Sequence, residues 1–148
     1  MMGALFAGHP WGQCAVKLDD PNHPLVKAFG GKGFWMKDEM YKMKEPYSRE
    51  KLRVLLSFDM GRMDEKADKA GRPDHDNPIA WIQQVGKGRV FYCSFGHQDH
   101  IFYTKELLQF YLDGIQYAIG DLPADATPSA KLNPQPKPAL APEKPEKK

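Results

Sequence analysis

The chain has 148 residues, enough for one domain and too few for two ordinary ones. Lys plus Arg number 21 and Asp plus Glu 19, a net charge of +2, which excludes a strongly basic nucleic-acid surface as the leading reading. No apolar run approaches the roughly 18 residues of a membrane span, and two cysteines, Cys14 and Cys93, make no disulfide scaffold and fit a reducing, cytoplasmic setting.

Residues 1–12, MMGALFAGHPWG, lack the basic start of a signal peptide. They place His9 and Trp11 where chain ends are usually polar, and read either as a short arm or as the continuation of a longer domain. CAVKL at 14–18 predicts a strand, closed by Asp19, Asp20, Pro21 and Asn22. His23-Pro24 then opens a short helix or turn through Leu25, Val26 and Phe29. Gly30, Gly31 and Gly33 make a flexible loop with no phosphate-binding G-x-G-x-x-G pattern.

Residues 34–43 are expected to form a strand carrying Glu39 and Tyr41. LRVLLSF at 52–58 is nearly continuously apolar, as a strand covered on both faces would be. Residues 59–77 form a long polar loop with a helical turn near 64–69, and such loops often line sites. The segment 78–85 is helical or extended, 86–88 a tight turn, and RVFYCSF at 89–95 a second strand. Thr104 can cap a helix to about Ile119, with Leu108, Tyr111, Leu112, Ile115 and Ile119 as its apolar stripe and Gly120 as its end. Strand, polar loop and long helix in this order argue for an α/β fold. Residues 121–148 hold seven of the 13 prolines and no aromatic residue, and read as a disordered tail behind a domain at 1–120.

His97 sits in FGHQDH just past the strand 89–95, where α/β sheets place ligands, and Gly96 permits a sharp turn there. An imidazole there can be general base, general acid or metal ligand, or can simply pack at a strand end. Asp99 shares that loop, and Asp59 follows the other strong strand; both strand ends face one crevice if the strands are parallel neighbours. His9 and His23 each precede proline, which holds them extended and fixes their side-chain direction. Glu39 and Tyr41 pair an acid with a phenol suited to sugar hydroxyls or proton transfer. Asp74-His75-Asp76 resembles a metal cluster only on paper. Trp11 offers a flat face for a sugar, though core use is the commoner fate of a tryptophan. Neither cysteine has the setting of an acyl-forming nucleophile.

Taken in order, Phe6-Ala7-Gly8-His9-Pro10-Trp11, His23-Pro24, Asp38-Glu39-Met40-Tyr41, LLSFD and PIAWIQQVGKGRVFYCSFGH resemble the trehalose-utilisation (ThuA-like) family. The resemblance covers about residues 3–120. It implies an α/β, layered sheet of the flavodoxin-like and class I glutamine amidotransferase-like kind, without the amidotransferase cysteine. It also implies that the chain corresponds to the later half of such a domain. The implied substrates are 3-keto disaccharides or related keto sugars. Carried onto this chain, the site comprises His97, Glu39 and His9 as acid–base groups, with His23, Tyr41, Asp59, Asp99 and Trp11 around the substrate. Either a divalent metal or His9 and Tyr41 as donors would stabilise an enolate. The competing expectations are a noncatalytic carbohydrate-binding or regulatory protein and an inactive fragment. The partner expected is a small sugar, with neither nucleic acid nor membrane, and a homo-oligomer would complete a truncated sheet.

Overall fold

The computed structural model describes residues 2–144, the side chains of Trp11, Glu65 and Asp68 apart. Seven strands are present among them: β1 (Leu5–Phe6), β2 (Trp11–Leu18), β3 (Phe34–Met40), β4 (Met43–Lys44), β5 (Arg53–Phe58), β6 (Pro78–Val85) and β7 (Gly88–Cys93). The helices are α1 (Glu65–Ala70) and α2 (Lys105–Ile119), and short 3-10 turns stand between other elements along the chain. Five strands form one sheet in the order β3-β2-β5-β6-β7, and β1 pairs with β4 in a small ribbon.

Every neighbouring pair in the large sheet is antiparallel. The architecture is therefore roughly α/β, a curled antiparallel sheet with one main helix. The flavodoxin-like layering expected above needs parallel neighbours joined by helical crossovers. Here β6 and β7 are joined instead by a tight turn at Gly86-Lys87, in register from Val85↔Gly88 to Ala80↔Cys93. The two strongest predicted strands do run the same way, but β6 lies between them.

All six residues of β5 are buried, as its unbroken apolar run requires. One hydrophobic cluster joins Val16, Leu18, Leu25, Leu56, Phe58, Ile79 and Phe110; a second joins Ala4, Met43, Tyr47, Leu52, Val54 and Trp81. Helix α2 buries Leu107, Phe110, Gly114 and Tyr117. A Cβ at Gly114 would stand 2.4 Å from the Phe91 ring, so only glycine lets the helix sit this close to β7. The stripe predicted to face the core points elsewhere: Leu108, Leu112, Ile115 and Ile119 are 44%, 47%, 55% and 67% exposed. The helix carries two apolar faces. The one that docks has a glycine at the point of closest approach and aromatic rings on either side of it.

The segment expected to be disordered lies along the fold through residue 144. Leu18 and Ala139 exchange backbone hydrogen bonds, each 3.0 Å. The Ser129 hydroxyl accepts from the Val54 N–H at 2.8 Å, and the Asp59 carboxylate accepts from the Ala141 N–H at 3.0 Å. The Trp35 indole donates to the Pro142 carbonyl at 3.0 Å. Composition weighs what side chains can bury; this segment is held largely through main-chain groups, which composition does not count. Residues 145–148 lie outside the described part.

Candidate functional site

Because neighbouring strands alternate in direction, the rim where β2 begins is the rim where β3 and β7 end. The register Trp11↔Met40 puts the start of β2 against the end of β3. His9 precedes the one and Glu39 lies in the other. His97 follows β7 on the same rim, and the curl of the sheet brings it across to β3.

Strand alternation sends consecutive side chains to opposite faces. Asp38 therefore turns inward, 2% exposed, while Glu39 turns out beside it. The Asp38 carboxylate accepts the Gly96 N–H at 2.7 Å and the Gln98 N–H at 2.9 Å. Gly96 has φ +129°, a backbone state that favours glycine. This clamp fixes the His97 loop over the end of β3.

The result is one carboxylate between two imidazoles. His9 Nδ1 lies 3.3 Å from one Glu39 oxygen and His97 Nδ1 lies 3.4 Å from the other. The imidazoles are 55% and 53% exposed and Glu39 25%. They border an open cleft of about 280 Å³, with Lys37 and Gln98 in its wall. The Phe6 ring stacks beside His9 at 6.3 Å and meets Tyr41 edge-on at 5.1 Å. The Tyr41 hydroxyl is raised above its ordinary pKa by desolvation first, then by the Glu39 charge and the hydrogen bond it donates to that carboxylate.

Other expected site residues are engaged elsewhere. His23 is 3% exposed. Its Nδ1 accepts from the Leu25 N–H at 3.4 Å, capping the turn Pro24–Phe29, and its Nε2 meets the Asp125 carbonyl at 3.0 Å. Burial pushes its pKa down, partly offset by that carbonyl. Asp59 is buried and holds the Ala141 N–H. Asp99 is exposed at the start of the turn Asp99–Tyr103, outside the cleft wall. The Trp11 side chain lies outside the described residues. Thr104 opens α2, but its hydroxyl donates to the His100 carbonyl at 2.9 Å rather than capping the helix.

Asp74 pairs with Arg72, and Asp76 accepts a two-point contact from Arg49 at 2.8 Å, so this acidic run is occupied by arginines. Among the described residues no group of three or more His, Cys, Asp or Glu side chains gathers to hold a metal ion. Both cysteines are free, and desolvation raises the Cys93 thiol to about 12 and the Cys14 thiol further, against a nucleophilic role. Sequence reasoning missed the clamp role of Asp38. The available signal was alternation in β3: if Glu39 faces a ligand, Asp38 faces inward and needs donors.

No helix among the described residues is long and apolar enough to cross a membrane. No curated protein and no solved structure matches the chain. The family model described as trehalose utilisation, ThuA, matches residues 1–118, a span that holds every residue of the His9–Glu39–His97 cleft, and the chain belongs to that family.

Proposed function

We propose that the chain processes a keto sugar, of the 3-keto disaccharide type, by moving a proton next to the ketone. The observation that carries this reading is the Glu39 carboxylate flanked by His9 and His97 on its two oxygens. An imidazole whose Nδ1 faces a carboxylate keeps its proton on that nitrogen and presents Nε2 as a base. The two imidazoles on the two oxygens of Glu39 can thus serve as acid and base on either side of one ligand.

In the proposed reaction a ketone at sugar C3 acidifies the protons at C2 and C4. The His97 imidazole takes one of them through Nε2. The C–H electrons form a carbon–carbon double bond, and the carbonyl oxygen becomes an enolate oxygen. The His9 imidazole is the donor toward that oxygen, and the Tyr41 hydroxyl, which donates to Glu39, holds that carboxylate between the two imidazoles. Return of the proton to the other face epimerises the carbon, and its delivery to C3, with the C2 hydroxyl proton passing to the C3 oxygen, moves the ketone to C2. Departure of the glycosidic oxygen from C1 after proton loss at C2 gives elimination, and water addition then completes hydrolysis. His23 and Asp59 take no part in this scheme, because their polar atoms serve the fold.

The test is exchange of solvent deuterium into C2 or C4 of a 3-keto disaccharide, followed by NMR. Exchange in the wild type that is lost in H97A and E39Q supports the reading. Binding of the sugar with no exchange above the H97A background would refute it and favour a carbohydrate-binding protein.

A further inference from the structure

We infer that α2 is the contact helix of a symmetric dimer, pairing antiparallel with α2 of a second copy of this chain. Its outward side chains, Leu108, Leu112, Ile115 and Ile119, follow steps of four, three and four, all 44–67% exposed. That is the narrow 3.5-residue seam by which helices pair with each other, in contrast to the wider stripe by which one helix covers a sheet. The docked side of α2, on β7 and the turn Pro24–Phe29, is separate, so the seam is additional to what the monomer's packing uses.

The spacing is palindromic about a point between Leu112 and Ile115. A two-fold axis through that point sets Leu112 against the partner's Ile115 and Leu108 against the partner's Ile119, large aliphatic on large aliphatic. Antiparallel helix dipoles oppose favourably. The positions flanking the seam are Gln109, Tyr111, Gln116 and Ala118, so self-pairing brings no like charges together. A short polar helix face would ordinarily carry Lys and Glu at such positions.

The area bounds the kind of contact. The four seam residues expose roughly 400 Å² of apolar surface, within the range of a monomer's largest patch, which is often functional. Two such seams together cover at most roughly 800 Å², the size of a weak, transient contact. A second copy therefore fits as a reversible partner rather than an obligate one.

The experiment is sedimentation velocity on the full chain from ~1 to ~200 μM, the range in which a reversible, weak dimer populates. The expected result is a shift from 16.8 kDa toward twice that mass. The double variant L112K/I115K is expected to stay monomeric throughout with an unchanged thermal melt, since both side chains are exposed. Orientation is read from L108C/I119C, which in air should give a linked dimer, against L108C alone, which should not, because the two-fold axis sets Leu108 against the partner's Ile119. A wild type that is monomeric at every concentration overturns the proposal and leaves the seam to a different protein. A dimer that survives in L112K/I115K overturns it in favour of another surface, the sheet edge included. Cross-linking of L108C alone in the dimeric protein refutes the antiparallel arrangement.

Discussion

Two polar clusters in this molecule use similar residue types in opposite ways. Around Arg49, the guanidinium meets Asp76 through two contacts at 2.8 Å and Asp19 at 2.8 Å, and Tyr47 donates to Asp76 at 2.7 Å. Asp76 spends both oxygens on matched donors, and burial, with Asp76 working against the opposing Arg49 charge, holds the Tyr47 hydroxyl protonated. Around Glu39, the contacts are 3.3 and 3.4 Å and both imidazoles keep more than half their surface open. Short, two-point, screened pairing is how charge serves stability. Long, solvent-facing pairing leaves Nε2 of each imidazole available to a ligand. The difference separates a structural cluster from a candidate reactive one without reference to family.

The largest expected effect is at the reactive cluster. E39Q should lower deuterium exchange by about 10²–10⁴-fold, the usual worth of a positioned acid–base group, while the thermal melt stays within experimental error. A melt that falls with the activity would blur the comparison. At the structural cluster, D76N should destabilise the fold by about 2 kcal/mol in urea unfolding, because the Arg49 and Tyr47 donors lose a charged acceptor. Unchanged stability would break the contrast from the other side. D38N sits between the two: it should cost about 1–2 kcal/mol of stability, from weakened bonds to the Gly96 and Gln98 N–H groups, and should also slow exchange by loosening the His97 loop. A conservative D38E that restores the melt but not the rate would mark Asp38 as a positioning residue.

The smallest effect is at His23, which resembles the reactive imidazoles in sequence and the structural cluster in burial. Its folded pKa lies below the ordinary 6.5 because of burial. As pH falls below 6.5 the unfolded chain gains a proton that the folded chain refuses. Its contribution is whole above that pH and is lost as pH drops through the folded value. The melting temperature of the wild type should therefore fall below pH 6.5 more steeply than that of H23Q. Equal slopes would remove His23 from the structural side.

How much of this was legible in the sequence depends on what each inference rested on. A continuous apolar run located β5, because full burial leaves that mark, and the mix of Val and aromatic residues located β7, a half-exposed edge strand. Periodicity located α2 but chose its outer face, since two apolar stripes share the helix and only the fit of Gly114 against Phe91 decides between them. Local spacing could not show that β6 separates the two strong strands, which removed the expected parallel pairing. His9, Glu39 and His97 stand about 30 and 60 residues apart, and the sheet order alone brings them to one rim. The histidine–proline pairs looked alike; only the Asp125 carbonyl, more than 100 residues downstream, engages His23 inside the fold.

The backbone exchange between Leu18 and Ala139 has a practical reach. An expression clone cut where the family match stops, at 118, would strip Leu18, Val54 and Asp59 of their main-chain and hydroxyl partners at once. Raw strand backbone would face water, a template for clumping between molecules. Protein made for assays should keep the chain at least through Pro142, where Trp35 finds its acceptor, and carry any purification tag beyond it.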